Sequence, residues 1–220
     1  MSKQFWIALL VVAAILGGIL AVSNHHKPLA DGSSGTPTEH IEGKGSTGVK
    51  LVEYGDYECP VCASFYTAAK EVAAKYSDQI TFQFRNLPLT AIHQNAFAGA
   101  RAAEAAGLQN KYWEMHDLLY TNQSAWAQAS DPKSFFDGYA AQLGIDATRF
   151  NADYASESVN NAINADLAAF HQTGDEMATP TFYLDGKKLD NTKLVDSSGE
   201  PSVAAFSALI DAEIAAKNKH

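Results

Sequence analysis

Residues 53–66 read Glu53-Tyr54-Gly55-Asp56-Tyr57-Glu58-Cys59-Pro60-Val61-Cys62-Ala63-Ser64-Phe65-Tyr66, and this stretch decides the fold. Around it, Lys50–Tyr57 (KLVEYGDY) reads as a strand. From Pro60 to Tyr76 the apolar residues Val61, Phe65, Ala68, Ala69, Val72, Ala73 and Tyr76 recur at helical spacing. Ile80–Leu87 (ITFQFRNL) alternates and predicts a second strand. Strand, helix, strand in this order implies a parallel pair joined by a crossover.

The two cysteines, Cys59 and Cys62, are the only ones in the chain. Cys59 falls at the predicted helix N-terminus, where unpaired N–H groups and the helix dipole favour negative charge. Pro60 suits the first turn, because the N–H it lacks would have no partner there. The thiol of Cys59 is therefore expected to ionise readily. Cys62, one turn on and more buried, is expected to be the resolving thiol. Half a zinc site or an inert disulfide are the other readings of this CPVC. A closed zinc site wants four ligands, and the domain has no second CxxC and no paired-His motif. Redox chemistry is the better reading, and neither metal nor cofactor is expected.

Downstream, Asn95–Phe170 is almost wholly helical in pattern, with Gly107 closing one helix as a C-cap. Thr181–Leu184 (TFYL) returns to strand, Asp185-Gly186 signals a hairpin into Lys187–Leu189, and Pro201–Lys217 closes as a helix. The last helix carries Val203, Phe206, Leu209, Ile210 and Ile214 on one face.

Upstream, Phe5–Val22 (FWIALLVVAAILGGILAV) is continuously apolar or small. As a helix it spans roughly 27 Å, close to the thickness of a bilayer core. Lys3 precedes it, so residues 1–4 are expected in the cytoplasm, 5–22 as a transmembrane anchor, and the remainder outside. A cleaved signal peptide is the competing reading, but the apolar run is long for one and Ala21-Val22-Ser23 is a poor cleavage site. Ser23–Gly48 is rich in Gly, Ser, Thr, Pro and His and reads as a flexible tether. A globular domain is then expected over residues 49–220.

The net charge of −9, with no basic stripe, argues against nucleic acid as a partner. Gly43-Lys44-Gly45-Ser46-Thr47-Gly48 fits GxGxxG, but no predicted strand precedes it and one follows, the reverse of a phosphate loop. His93 and His116 read as packing or capping residues. Trp113, Met115, Leu118 and Leu119 read as helix core. Tyr57, Phe65 and Tyr66 suit either a peptide groove or the core.

The stretch YGDYECPVCASFY, with Glu53 before it and Ala178-Thr179-Pro180-Thr181-Phe182-Tyr183 after a helical region, resembles the DsbA-like family of disulfide oxidoreductases. In particular it is similar to the membrane-anchored members of bacteria without a large periplasm. The resemblance runs from Lys50 to the C-terminus. It implies an α/β thioredoxin fold interrupted by a helical insertion at about 89–174. It makes Cys59 the nucleophile, Cys62 its partner, and Pro180 a cis-proline facing the disulfide. Thr179 would pair through its backbone with an extended substrate, beside Pro60 and Val61. Glu53 would be a buried carboxylate trading a proton with Cys62. Val61 departs from the best-known member, which holds a histidine there that helps to stabilise the thiolate.

The activity so implied is the introduction of disulfides into unfolded exported proteins by a monomer. Reoxidation would fall to a quinone-linked membrane partner of the DsbB or vitamin-K-epoxide-reductase type. A reductase or isomerase using the same cysteines, and a non-catalytic peptide-binding module, are the alternatives.

Overall fold

A computed structural model describes residues 35–219 of the chain. The anchor expected over 5–22 and the tether up to residue 34 lie outside the described residues. Among the described residues no helix is long and apolar enough to cross a membrane.

Five strands form one sheet: β1 (His40–Glu42), β2 (Val49–Gly55), β3 (Ile80–Asn86), β4 (Thr181–Leu184) and β5 (Lys187–Lys188), in the order β1-β3-β2-β4-β5. The central β2–β3 pair is parallel, from Val49 opposite Ile80 to Gly55 opposite Asn86, and α1 (Pro60–Lys75) supplies its crossover. The other pairs are antiparallel. Asp185 and Gly186 both take positive φ, +49° and +77°, as a two-residue hairpin turn requires.

One face of the sheet is covered by α1 and the C-terminal helix, α8 (Val203–Lys217). Leu51, Phe82 and Phe182 pack there against Phe65, Val72, Phe206 and Ile210. Between β3 and β4 the chain makes α2 (Ala96–Gly107), α3 (Tyr112–Thr121), the short α4 (Gln123–Trp126), α5 (Lys133–Gln142), α6 (Ala147–Tyr154) and α7 (Glu157–His171). This is the helical insertion expected from the sequence. Its core, with Trp126, Met115, Phe136 and Phe150, is continuous with Tyr57, Cys59, Cys62 and Phe84. The insertion and the strand–helix junction therefore share one hydrophobic interior.

The tether boundary at residue 48 is corrected. Polar composition predicts a free coil up to there, but the described part of it is fixed from outside. His40–Glu42 pairs antiparallel with β3. The buried Asp166 of α7 accepts from the backbone N–H and hydroxyl of Thr38, each at 2.7 Å, and from the N–H of Asn86 at 2.9 Å. A short strand thus does precede Gly43-Lys44-Gly45-Ser46-Thr47-Gly48. The glycine run is the turn into β2, because a Cβ at Gly43 (φ +88°) would lie 2.3 Å from the Ile80 carbonyl. No helix follows it, so the phosphate reading stays rejected.

Gly55 ends β2 beneath the junction. A Cβ there would sit 2.5 Å from Cε2 of Phe84 and 3.0 Å from the Tyr120 hydroxyl. Gly55→Ala is expected to lower stability by about 1–2 kcal/mol through overpacking. Urea denaturation reads this directly, and an unchanged midpoint would show that the Phe84 ring yields freely.

Candidate active site

The active-site helix begins at Cys59, which takes an extended conformation (φ −68°, ψ 120°) as the N-cap of α1, with Pro60 at the first helical position. No side chain caps the helix and no acid stands in its first turn. Its positive end is left to the sulfur. The thiol of Cys59 lies 3.5 Å from the carbonyl of Thr179, and the Thr179–Pro180 peptide bond is cis. Cys59, Cys62, Thr179 and Pro180 are thereby brought together, and both cysteines are free thiols.

The two sulfurs are unlike. The Cys59 thiol is brought down from an ordinary 9.0 to about 5. The hydrogen bond from Cys62 is the largest cause, working against burial, and Thr179 and the N–H groups of Cys62 and Val61 add to it. The carbonyl of Thr179 holds the proton of the neutral thiol. Its hydroxyl has no other partner among the described residues and is free to donate to the thiolate. Cys62 is wholly buried, and burial together with the Cys59 and Glu53 charges pushes its thiol well above 9.0.

Glu53 is also brought to this centre. The sheet register sets it between Phe84 of β3 and Phe182 of β4, and it is 2 % exposed. Its carboxyl is raised to about 8, first by burial and then by the charge of Cys59. One of its oxygens, Oε1, has no hydrogen-bond partner among the described residues. Pro60 and Val61 face outward, and Val61 is 51 % exposed.

Asp56 and Gln123, which sequence reasoning missed, and His93, which it read as a packing or capping residue, hold this geometry. Asp56, buried three positions before Cys59, accepts from the N–H of Glu58 at 2.8 Å and of Leu89 at 2.9 Å, and its Oδ2 lies 2.7 Å from Nδ1 of His93. His93 is thus the partner of a buried carboxylate, tying the start of the insertion to the active-site loop. Gln123 donates to the carbonyls of Tyr57 at 2.8 Å and Cys59 at 2.9 Å, fixing the loop from the other side. The position of Asp56 just after an apolar strand was a usable signal. Nothing in the sequence around Gln123 marks it.

Beside the site lies an open apolar groove of about 520 Å³ lined by Pro88, Leu89, Ile92, Phe97, Leu167 and Met177. Ile92 and Met177 stand exposed there, as Val61 does on α1.

A thioredoxin sheet, a Cys-X-X-Cys pair at the start of its first helix and a helical insertion define a thioredoxin-fold protein. The Thioredoxin_4 family model, described as thioredoxin, matches residues 35–212, and the chain belongs to that family. Among solved structures it is similar to BdbD from Bacillus subtilis, at 20 % identity and a TM-score of 0.67 over 82 % of this chain and 97 % of that one. It is also similar to alpha-DsbA1 from Wolbachia pipientis, at 18 % identity and a TM-score of 0.66 over 83 % and 94 % of the two chains. Likeness at this level of identity concerns the fold.

Curated relatives carry another name. The Na(+)/H(+) antiporter NhaA 1 of Salinispora arenicola is 34 % identical over 170 residues, 76 % of this chain and 25 % of that protein. Its namesake in Mycolicibacterium gilvum is 36 % identical over 154 residues, 68 % and 24 % of the two. The chain spans about a quarter of the length of these relatives.

Proposed function

We propose that this protein is a thiol–disulfide oxidoreductase that passes its Cys59–Cys62 disulfide to exported, still unfolded proteins. One observation carries the reading. Two thiols three positions apart are set oppositely, Cys59 lowered and Cys62 raised, and the readier one stands at the helix N-terminus against Thr179.

In the oxidised protein a substrate thiolate attacks the sulfur of Cys59. The Cys59–Cys62 bond breaks, its electron pair stays on Cys62, and the protonated Glu53 supplies the proton that sulfur needs in its buried place. A second substrate thiolate then attacks the substrate sulfur of the mixed disulfide. Cys59 leaves as a stable thiolate, the better leaving group for its low pKa. The substrate has lost two electrons and the protein has gained them. The exposed Val61, Ile92 and Met177 suit apolar segments of unfolded chains. The reoxidant proposed is a quinone-linked membrane protein of the DsbB or vitamin-K-epoxide-reductase type. The place proposed is the outer side of the membrane, on the strength of the apolar run Phe5–Val22.

Equilibration of the purified protein with glutathione redox buffers tests the reading. A Cys59–Cys62 disulfide that forms reversibly and oxidises reduced glutathione is the expected result. A pair that stays dithiol in excess oxidised glutathione, forming no intramolecular bond, would sink it. An equilibrium lying far toward the disulfide would favour a reductase instead.

A further inference from the structure

Between the sheet, α1 and α3 lies a small cavity of about 40 Å³. Glu53 and His116 both line it, and both are almost wholly buried. Oε1 of Glu53 and both ring nitrogens of His116 have no hydrogen-bond partner among the described residues. Buried polar atoms are normally satisfied by protein or by ordered water. The cavity is polar enough and large enough for about three water molecules.

Packing alone does not explain His116. Its ring is surrounded by those of Tyr57, Tyr66, Phe84, Tyr112, Trp113 and Tyr120, with centroids 4.9 to 6.4 Å away. An apolar side chain would fill this place and leave no orphaned nitrogens. The cavity is also one step from solvent. Nδ1 of His116 lies 3.6 Å from Oδ1 of Asp117, whose carboxylate pairs with the half-exposed Lys70, and the exposed Glu42 of β1 lines the same space.

We propose that water in this cavity and the imidazole of His116 form the route by which Glu53 exchanges its proton with solvent. The role of the route rests on the exchange reaction proposed above. When Cys62 leaves as a thiolate it takes the proton of Glu53. The carboxylate so formed is sealed from bulk water by Phe84, Phe182 and α1; near neutral pH it draws a proton back from solvent, and the proton that Cys62 sheds when the disulfide re-forms leaves by the same path. His116 takes a proton from the Asp117 side on one nitrogen and releases one toward the cavity water from the other. A neutral imidazole has the required one donor and one acceptor. Burial, the largest influence on His116, holds it below its ordinary range and hence neutral near pH 7.

The titratable groups facing this route are Glu42 on β1, Tyr66 and Lys70 on α1, and Asp117 and Tyr120 on α3. Tyr57, Tyr112 and His40 stand near His116, and Cys59 and Cys62 lie on the far side of Glu53. His116 acts through Glu53 and not on the sulfurs, so it is a positioning and relay residue.

Two variants of the full chain test the route: His116→Phe removes the relay, and Ala69→Val fills the cavity from α1 and leaves His116 in place. Two rates are read, the relaxation of the Glu53 carboxyl infrared band after a pH jump and turnover with dithiothreitol and oxidised glutathione. Glu53→Gln identifies the band. Both variants are expected to slow relaxation and turnover by about tenfold or more, the scale of a lost proton-transfer step. The loss should be larger at pH 8 than at pH 6, since reprotonation becomes limiting as protons grow scarce. Alkylation of Cys59 should keep its wild-type rate in any variant that is folded. If His116→Phe fails to fold, Ala69→Val decides alone. Wild-type relaxation in a folded Ala69→Val protein would overturn the route. If the wild-type protein relaxes quickly and the variants slowly, but none exchanges thiols, the route stands and the proposed activity falls. If exchange proceeds and relaxation is the same in all, the activity stands and the route falls.

Discussion

Replacing Cys62 with alanine is expected to abolish turnover and to leave Cys59 joined covalently to substrate sulfur. A single thiol cannot store the two electrons of the reaction. Cys59 remains at the helix N-terminus, attacks a partner's disulfide, and forms a mixed disulfide that nothing in the protein can resolve. Turnover should fall by about 10³-fold or more, as when one member of a catalytic unit is removed. The structure adds a second, less obvious consequence. The hydrogen bond from Cys62 is the largest single cause of the low Cys59 pKa. In Cys62→Ala the alkylation midpoint of Cys59 should therefore rise from about 5 toward the ordinary 9.0, held back by Thr179 and the N–H groups of the first turn. Iodoacetamide rates between pH 4 and 9 measure this, and non-reducing electrophoresis shows the trapped adducts. The converse variant, Cys59→Ala, should trap nothing, because Cys62 has no exposed surface. An unmoved Cys59 midpoint would mean that the helix end, not Cys62, sets its acidity.

What could be read from the sequence was what is local. The β2–α1–β3 unit, the TFYL strand of β4 and the Asp185-Gly186 turn each carry their signal within a few residues. Cys59 at a helix start and Pro180 before a strand are of this kind. β1 is not. It has three residues, none of them fully buried, and it exists because β3 offers an edge and because Asp166, 128 positions away, holds Thr38. No composition rule sees such a contact, so a Gly-rich segment that is fixed from outside reads as a coil. The same applies to His93, which looks like an ordinary helix-flanking residue until the fold lays it on Asp56. Glu53 stands between these cases. The family resemblance made it a candidate, but only the aromatic neighbours Phe84 and Phe182, on two different strands, show why it is buried and keeps its proton.

The stability of the dithiol form relative to the disulfide form is expected to rise with pH and to change sign near neutrality. Only the dithiol form has a Cys59 thiol to ionise. Its folded pKa of about 5 lies below the ordinary 9.0, so the stabilisation is fully present above pH 9 and is lost as pH falls through 5. The full swing is about 5 kcal/mol at 1.36 kcal/mol per unit. Solvent screening of a sulfur with one open side reduces this to about 3 kcal/mol, roughly half of it gained by pH 7. Glu53 works the other way. Its pKa is raised to about 8, so its contribution is full below 4.5 and is lost as pH rises through 8. That loss occurs in both forms and nearly cancels between them, apart from the part due to the Cys59 charge. Against the thiolate stands the chain-entropy gain of a four-residue disulfide loop, about 2 kcal/mol. The disulfide form should then be the more stable at pH 5, the two should be close at pH 7, and the dithiol form should lead by about 1 kcal/mol at pH 9. For a two-electron couple, 30 mV corresponds to about 1.4 kcal/mol, so on the proposed reading these values would make the protein a milder oxidant than one with a further thiolate-stabilising group at position 61. Paired guanidinium curves of the two forms between pH 5 and 9 test the argument. A difference that does not vary with pH would show that Cys59 is no more acidic than a free thiol. A disulfide form still ahead by several kcal/mol at pH 9 would replace the oxidase reading with that of a reductase.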